Sequence, residues 1–380
     1  MKILMGLDYY LPNYSGLTLY AAALAEGLAA RGHEVSVLTH RHRPELPAES
    51  EERGVRVVRA PVAARFGKAL VSPSLLARAL AEVPRSDVLH LHAPLVPAVP
   101  LASLAATARV PVVVTFHCDL QPPPSLGQAA VEIVARASQD FALDRASRIV
   151  TNTEDYARNT GPLSDRIEKV TWILPPVDEP AAPTSPPEEV RKRFGVGQGP
   201  VVFFLGRFAA EKGIPTLIEA FREVRRRRPD ATLVLGGTKD VAGETVLRDV
   251  EPVLADPSSG VVATGTVSPE VRSDLFGIAD VLVLPSVNAT ESFGLVQVEG
   301  MLAGVPAVAS DLPGVREPVR MTGMGETARP GDAADLAQKI LAVLADPERF
   351  RRPAAEVRAL FSREKTLAAY EDVYRSAVRG

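Results

Sequence analysis

One cysteine, Cys118, stands in 380 residues. It rules out an intramolecular disulfide and suits a reducing cytoplasm. No stretch approaches the roughly 18 uninterrupted apolar residues of a membrane-spanning helix, so no span is expected. Residues 1–8 are apolar but soon interrupted, and read as a first strand rather than a signal peptide. Net charge is only −3, which gives no global argument for a nucleic-acid partner. Three short motifs are also missing. No Gly-x-Gly-x-x-Gly follows a strand, which disfavours a dinucleotide-binding dehydrogenase. No Gly-x-x-x-x-Gly-Lys-Ser/Thr forms a phosphate loop. No Asp-x-Asp supplies a metal–diphosphate handle, so side chains and helix dipoles must neutralise any phosphate.

What the chain does have is alternation. Its 46% hydrophobic and 23% charged content is ordinary for a globular protein, and 380 residues are too many for one core. Strand-like runs at 2–7, 34–39, 55–59, 88–92, 112–116 and 148–151 are separated by helical patterns such as 17–31, which Gly32 stops. A proline-rich break spans 175–187. The pattern then restarts at 200–206, with strands expected at 232–235, 261–263, 281–284 and 305–309. Such alternation predicts parallel sheets with helices on both faces, here as two doubly wound α/β domains with a cleft between them. The final segment, 353–380, reads as helical and amphipathic. Arg225-Arg226-Arg227-Arg228 precedes Pro229-Asp230 at a helix end, where cations suit the dipole, and reads as a solvated terminus.

The most informative segment is Glu291-Ser292-Phe293-Gly294-Leu295-Val296-Gln297-Val298-Glu299. An apolar strand precedes it, so Glu291 falls on a loop at a strand's carboxyl end and Glu299 on the helix that follows. Ligands of open α/β sheets bind at that crevice. The amides of Phe293, Gly294 and Leu295 at the helix N-terminus form a ready anion site. The ligand this predicts has an anionic middle and hydroxyls at both ends, which describes a nucleotide-diphosphate sugar.

A second cluster is Gly206-Arg207-Phe208-Ala209-Ala210-Glu211-Lys212-Gly213. Arg207 and Lys212 either clamp a diphosphate, one as a fork and one as a point charge, or belong to a surface loop with an Arg207–Glu211 pair. In a third, a strand runs straight into His117 at a sheet rim of the first domain, in a structural or a functional role. His90 and His92 alternate onto one face, but a metal pair there lacks a third ligand nearby in sequence. His33, His40 and His42 read as loop or surface residues. In the first strand-to-helix turn, Gly16 would let a phosphate approach the backbone closely. Tyr9-Tyr10 either stack on a sugar or ring near the acceptor, or simply pack. Residues 65–78 mix cations with apolar side chains, and either pack or dock on a membrane surface to reach a lipid.

Taken in order, the Ser15-Gly16 turn, the strand ending in Phe116-His117, Gly206-Arg207 with Glu211-Lys212-Gly213, and Glu291-x7-Glu299 resemble the retaining glycosyltransferases of family 4 over nearly the whole chain. The resemblance implies the GT-B fold: two Rossmann-like doubly wound parallel-sheet domains facing a central cleft. It places an acceptor-side domain at 1–180, a nucleotide-sugar donor domain at 181–357, and a C-terminal helix at 358–380 crossing back to the first. It also implies roles. Glu291 contacts donor-sugar hydroxyls near the reacting carbon, and Glu299 binds the ribose. Arg207 and Lys212 hold the diphosphate and stabilise the departing charge. His117 faces the donor sugar, the Gly16 turn closes on the diphosphate, and Thr266 and Val267 contact the base. The donor implied is a UDP- or GDP-sugar, and the acceptor a glycan, lipid or small metabolite. No metal or other cofactor and no nucleic acid are expected, and the location implied is cytoplasmic, with peripheral contact at the inner membrane face left open.

Two departures from the family pattern stand out. Ser15 replaces one of two glycines common in the first turn, and Gly236-Gly237-Thr238-Lys239-Asp240 replaces a Gly-x-Gly. Lys239 either adds a phosphate or base contact or sits in a solvent-exposed loop. The reaction the resemblance implies is sugar transfer with retention; since only Glu291 is a plausible carboxylate near the sugar and the resemblance assigns it to hydroxyl binding, attack from the leaving-group face is expected. The alternatives are a non-hydrolysing nucleotide-sugar epimerase and a catalytically silent binding protein of the same fold.

Overall fold

The computed structural model describes residues 1–66, 69–120, 126–237 and 246–379. The chain divides into two compact units, Met1–Pro176 with Ser362–Gly380, and Val177–Phe361.

The first unit carries β1 (Lys2–Gly6), β2 (Glu34–Arg41), β3 (Glu49–Glu52), β4 (Val55–Pro61), β5 (Ala64–Phe66), β6 (Ala69–Val71), β7 (Val88–Ala93), β8 (Val112–Phe116), β9 (Arg148–Thr151) and β10 (Val170–Trp172). Eight of them form one sheet in the order β10-β9-β8-β7-β1-β2-β4-β3, while β5 and β6 pair separately. Within the sheet β3 runs antiparallel to β4 and the other pairings are parallel. β7 and β8 are buried at every residue, as expected of parallel strands covered by helices on both faces. β1 lies between β2 and β7, so the chain changes its direction of travel across the sheet there. The carboxyl ends of β1 and β7 are therefore this sheet's crevice.

The helix Gly16–Ala30 begins and ends one residue earlier than the 17–31 pattern suggests. The amphipathic stretch 353–380 is two helices, Ala354–Leu360 in the second unit and Arg363–Arg379 in the first. Leu367, Tyr370, Val373 and Tyr374 of the last helix share a core with Ile3, Met5, Tyr20 and Val113.

His40 is not a surface residue: it is 1% exposed. β2 continues to Arg41 and carries the ring inward, where Nδ1 lies 3.1 Å from the Asp8 carbonyl. Tyr10 packs in the core, while Tyr9 is half-buried with its ring 5.7 Å from that of His42. In the 65–78 stretch, the helix Pro73–Glu82 buries Leu75 and Ala79 and leaves Leu76 and Leu80 exposed; Gly67 and Lys68 lie outside the described residues. Among the described residues no helix is long and apolar enough to cross a membrane.

The second unit holds β11 (Val201–Leu205), β12 (Thr232–Gly236), β13 (Val261–Gly265), β14 (Val281–Leu284), β15 (Ala307–Ser310) and β16 (Gly325–Ala328). Its six-stranded sheet runs β13-β12-β11-β14-β15-β16, all parallel. β13 extends through Gly265, beyond the expected 261–263. β15 starts at Ala307 rather than 305, because the Val305 amide is taken by the Gly300 carbonyl at the preceding helix's end. The arginine run ends the helix Ile214–Arg227: Arg225 donates to the Ser258 and Pro229 carbonyls and Arg226 pairs with Glu223.

The last helix is tied to the first by Glu371, which accepts from Arg31 Nε at 2.9 Å and lies 3.0 Å from His33 Nε2. These partners hold its carboxyl at about 2, below the ordinary 4.5. A carboxylate with a depressed folded value adds stability that is present above its unfolded value and lost as pH falls through the folded one. Lowering the pH from about 5 toward 2 therefore weakens this tie. We expect Glu371→Gln to flatten the loss of stability over that window, by about 1 kcal/mol after solvent screening. Chemical unfolding of both proteins from pH 6 to 3 checks this; parallel curves contradict it.

Candidate functional site

In the second unit the strand order reverses between β11 and β14, which are paired neighbours. The loops leaving their carboxyl ends therefore flank one crevice, the place where open α/β sheets bind ligands. After β11 the chain makes a tight turn over Ala210–Lys212 and enters the helix Ile214–Arg227 at Gly213. Gly213 has φ +66°, and a Cβ there would lie 2.0 Å from the Pro285 carbonyl oxygen. Only glycine permits that approach. Beside it the Val287 amide donates to the Glu211 carbonyl at 3.0 Å. The two loops are thus fastened backbone to backbone.

The fastening brings together residues 79 apart in sequence: the Lys212 ammonium and the Glu291 carboxylate form an ion pair, their side chains 19% and 16% exposed. Arg207 Nη2 donates to Glu211 Oε1 at 2.8 Å. Both cations of the expected clamp therefore stand at the carboxyl end of β11, each held by a carboxylate.

Glu299 lies on the helix Leu295–Leu302 and accepts from Arg272 Nη1 at 3.0 Å. Burial pushes its carboxyl above the ordinary range, with Arg272 opposing the rise and Asp178 adding to it. Gly294 precedes that helix with φ +79°, and a Cβ on it would meet Leu284 Cδ2 at 2.2 Å, so the turn is shaped for glycine. The Phe293 side chain is buried against Phe361, so its ring belongs to the core. Buried Gln297 holds the turn by donating to the Phe293 and Val315 carbonyls, both at 2.9 Å. Thr266 and Val267 follow β13, two strands from β11; Thr266 is exposed and Val267 half-buried. Lys239 lies outside the described residues.

Gly16 and His117 belong to the first unit. Gly16 opens the helix Gly16–Ala30, and Ser15 is its cap: Ser15 Oγ accepts from the Thr18 amide at 3.2 Å while Thr18 Oγ1 accepts from the Ser15 amide at 2.8 Å. A serine at this position therefore has a structural reason. His117 follows β8 with its amide on the Ala93 carbonyl. It is 7% exposed, and its Nε2 lies 2.9 Å from His92 Nδ1. Tyr20, one turn into the first helix, meets the His117 ring edge-on at 4.8 Å. Burial depresses His92 to about 3 and drives His90 and His117 well down, so all three rings are neutral at ordinary pH. His90 is occupied on both sides, by Tyr374 at Nδ1 and Thr115 at Nε2. Among the described residues no group of three or more His, Cys, Asp or Glu could hold a metal ion.

Sequence reasoning missed Arg272, Gln297, Tyr20 and Asp8. Asp8 follows β1, accepts from the Val96 amide at 3.1 Å, and is pushed up to about 7 by burial. Arg272, a single cation on an ordinary helix, carries no local signal. Asp8 closes the apolar run of β1, and that position just past a strand's carboxyl end is the signal that could have found it.

Gly213→Ala should cost about 2 kcal/mol or more, since it adds left-handed strain and a backbone clash. Gly195→Ala, with φ +67° and none of the described residues within 4 Å of the added carbon, should cost only about 1 kcal/mol. Urea unfolding of both variants checks the difference; equal losses would mean the close approach to Pro285 carries no weight.

Two family profiles divide the chain: "Glycosyl transferase 4-like domain" over residues 15–173 and "Glycosyl transferases group 1" over 187–359. The 2-deoxystreptamine glucosyltransferase of Streptomyces kanamyceticus is 30% identical over 85% of this chain and 88% of its own. The phosphatidyl-myo-inositol mannosyltransferase of Mycobacterium leprae is 28% identical over 90% of this chain and 87% of its own. Among solved structures, Anabaena HepE in complex with UDP-glucose superposes with a TM-score of 0.76 at 20% identity, covering 100% of both chains. The chain belongs to the group 1 glycosyltransferases: it is a GT-B enzyme that transfers a sugar from a nucleotide-diphosphate donor to an acceptor.

Proposed function

We propose that the transfer proceeds with retention at the anomeric carbon, by attack from the leaving-group face and without a metal ion. The observation that carries this reading is the Lys212–Glu291 ion pair beside Arg207 at the β11–β14 switch. A diphosphate arriving there competes for Lys212 and Arg207, whose charges are already in place. Lys212 turns to phosphate, and the Glu291 carboxylate is released to accept from donor-sugar hydroxyls. The Phe293, Gly294 and Leu295 amides add dipole charge at the helix start. Glu299, oriented by Arg272, binds the ribose hydroxyls, and Thr266 and Val267 meet the base. In the first unit His117 faces the donor sugar and the Gly16 turn approaches the diphosphate.

In the chemical step the bond from the anomeric carbon to the phosphate oxygen breaks and the acceptor oxygen bonds to the same face. The acceptor proton passes to the departing phosphate oxygen, whose negative charge Arg207 and Lys212 stabilise. Glu291, released when Lys212 turns to phosphate, is the carboxylate proposed for the sugar, while Glu299 stays with Arg272 at the ribose. One such carboxylate does not make the pair of a double-displacement glycosidase. The donor proposed is a UDP- or GDP-sugar, and the acceptor a glycan, lipid or small metabolite.

Glu291→Ala should lower turnover on the order of 10² to 10³-fold while nucleoside-diphosphate affinity changes little. Proton NMR of the product should show the donor's anomeric configuration retained. Full turnover in the variant, or an inverted product, overturns the proposal.

A further inference from the structure

Buried in the first unit is a chain of polar side chains that the reaction does not account for. Tyr374 Oη lies 2.8 Å from His90 Nδ1, and His90 Nε2 lies 2.7 Å from Thr115 Oγ1. Thr115 Oγ1 is 2.8 Å from Tyr370 Oη, which is 2.6 Å from Tyr20 Oη. His92 sits beside this chain, its ring 4.3 Å from that of His90, and bonds through Nδ1 to His117 Nε2 at 2.9 Å. One ring atom is left over: His92 Nε2 is buried with no hydrogen-bond partner among the described residues.

That orphan decides which way the His92–His117 bond runs. A neutral imidazole carries one proton, on one nitrogen. If His92 kept its proton on Nε2, a buried N–H would stand without an acceptor, and orphaned buried donors are costly and rare. With the proton on Nδ1, the donor is satisfied and only a lone pair is left bare. His92 Nδ1–H therefore donates to His117 Nε2. Because His117 accepts there, its own proton belongs on Nδ1, the nitrogen left for a ligand. The ring has little freedom to choose otherwise: Tyr20 meets it edge-on at 4.8 Å, and His92 lies nearly parallel to it at 16°.

We propose that His92 is a positioning residue that locks His117 into its Nδ1–H tautomer, so that His117 meets the substrate as a neutral hydrogen-bond donor. The substrate side of this inference rests on His117 facing the donor sugar; the tautomer itself does not. A sugar hydroxyl or ring oxygen is the chemistry such a donor recognises, and no proton is transferred.

The test uses the full chain labelled with ¹⁵N-histidine, in which long-range ¹H–¹⁵N NMR separates protonated from bare ring nitrogens. In the parent protein His117 should show a protonated Nδ1 and a bare Nε2. His92→Asn, whose amide N–H can stand where Nδ1–H stood, should keep that pattern. His92→Leu, which removes the donor, should lose it in favour of the other tautomer or a mixture. A protonated His117 Nε2 in the parent protein overturns the proposal even if the leucine variant fails to fold, and so does an unchanged pattern in a folded leucine variant. On activity, His92→Leu should lower kcat/KM for the donor roughly tenfold through KM, with His92→Asn restoring most of it. A confirmed tautomer switch without an activity change would instead refute the role given to His117.

Discussion

The contact on which the arrangement at the β11–β14 switch depends is the approach of Gly213 to the Pro285 carbonyl. It is a backbone constraint rather than a strong attraction. Any side chain at residue 213 would push the β11 loop off the β14 loop, since the added carbon would lie 2.0 Å from that oxygen. With the loops fastened, Lys212 and Glu291 stand as partners, and Arg207 is held on the same loop as Lys212 by Glu211. The sheet order makes this possible, because β11 and β14 are neighbours although β12 and β13 intervene in sequence. Distant residues become one site through topology, and glycine closes the last few ångströms.

The two units use buried polarity differently. In the second, charged side chains are paired but still partly open: Lys212, Glu291, Arg272 and Glu299 keep between 14% and 27% of their side-chain surface exposed. Such pairs can exchange partners with a ligand at modest cost, because neither charge is wholly removed from water. In the first unit the network around His90 is closed, and its rings are driven neutral by burial. A closed, neutral network suits orientation rather than charge. It also binds the C-terminal helix to the first sheet, since Tyr370 and Tyr374 of that helix bond to Tyr20, Thr115 and His90.

The features legible in the sequence were those with a repeating or local cause. β8 and β14 begin and end where their apolar runs do, because a fully buried parallel strand must be apolar at nearly every position. The edge strands β3 and β16 escaped notice. β3 reads Glu-Ser-Glu-Glu, with no apolar alternation, and is specified by what it covers: Ser50 and Glu52 accept from Arg59, which is 1% exposed. β16, Gly-Glu-Thr-Ala, is similarly polar. In the candidate site, the sequence singled out Arg207, Lys212 and Glu291 because they stand on loops after strand ends, and Glu299 because it lies on the helix that follows. Their partners were not. Arg272 meets Glu299 from 27 residues away, and His92 meets His117 across two strands; only tertiary pairing reveals either.

The most direct test of the account is a thermal-shift measurement of the purified chain with UDP, GDP, ADP, dTDP and NAD, each in EDTA. A ligand that binds only the folded state stabilises it by about 2.7 kcal/mol at a hundredfold excess over Kd. The account predicts a clear rise in Tm with a nucleoside diphosphate, UDP or GDP first, that survives EDTA and is lost in Lys212→Ala. A shift with NAD alone, with none of the nucleotides, or one indifferent to Lys212 would contradict it.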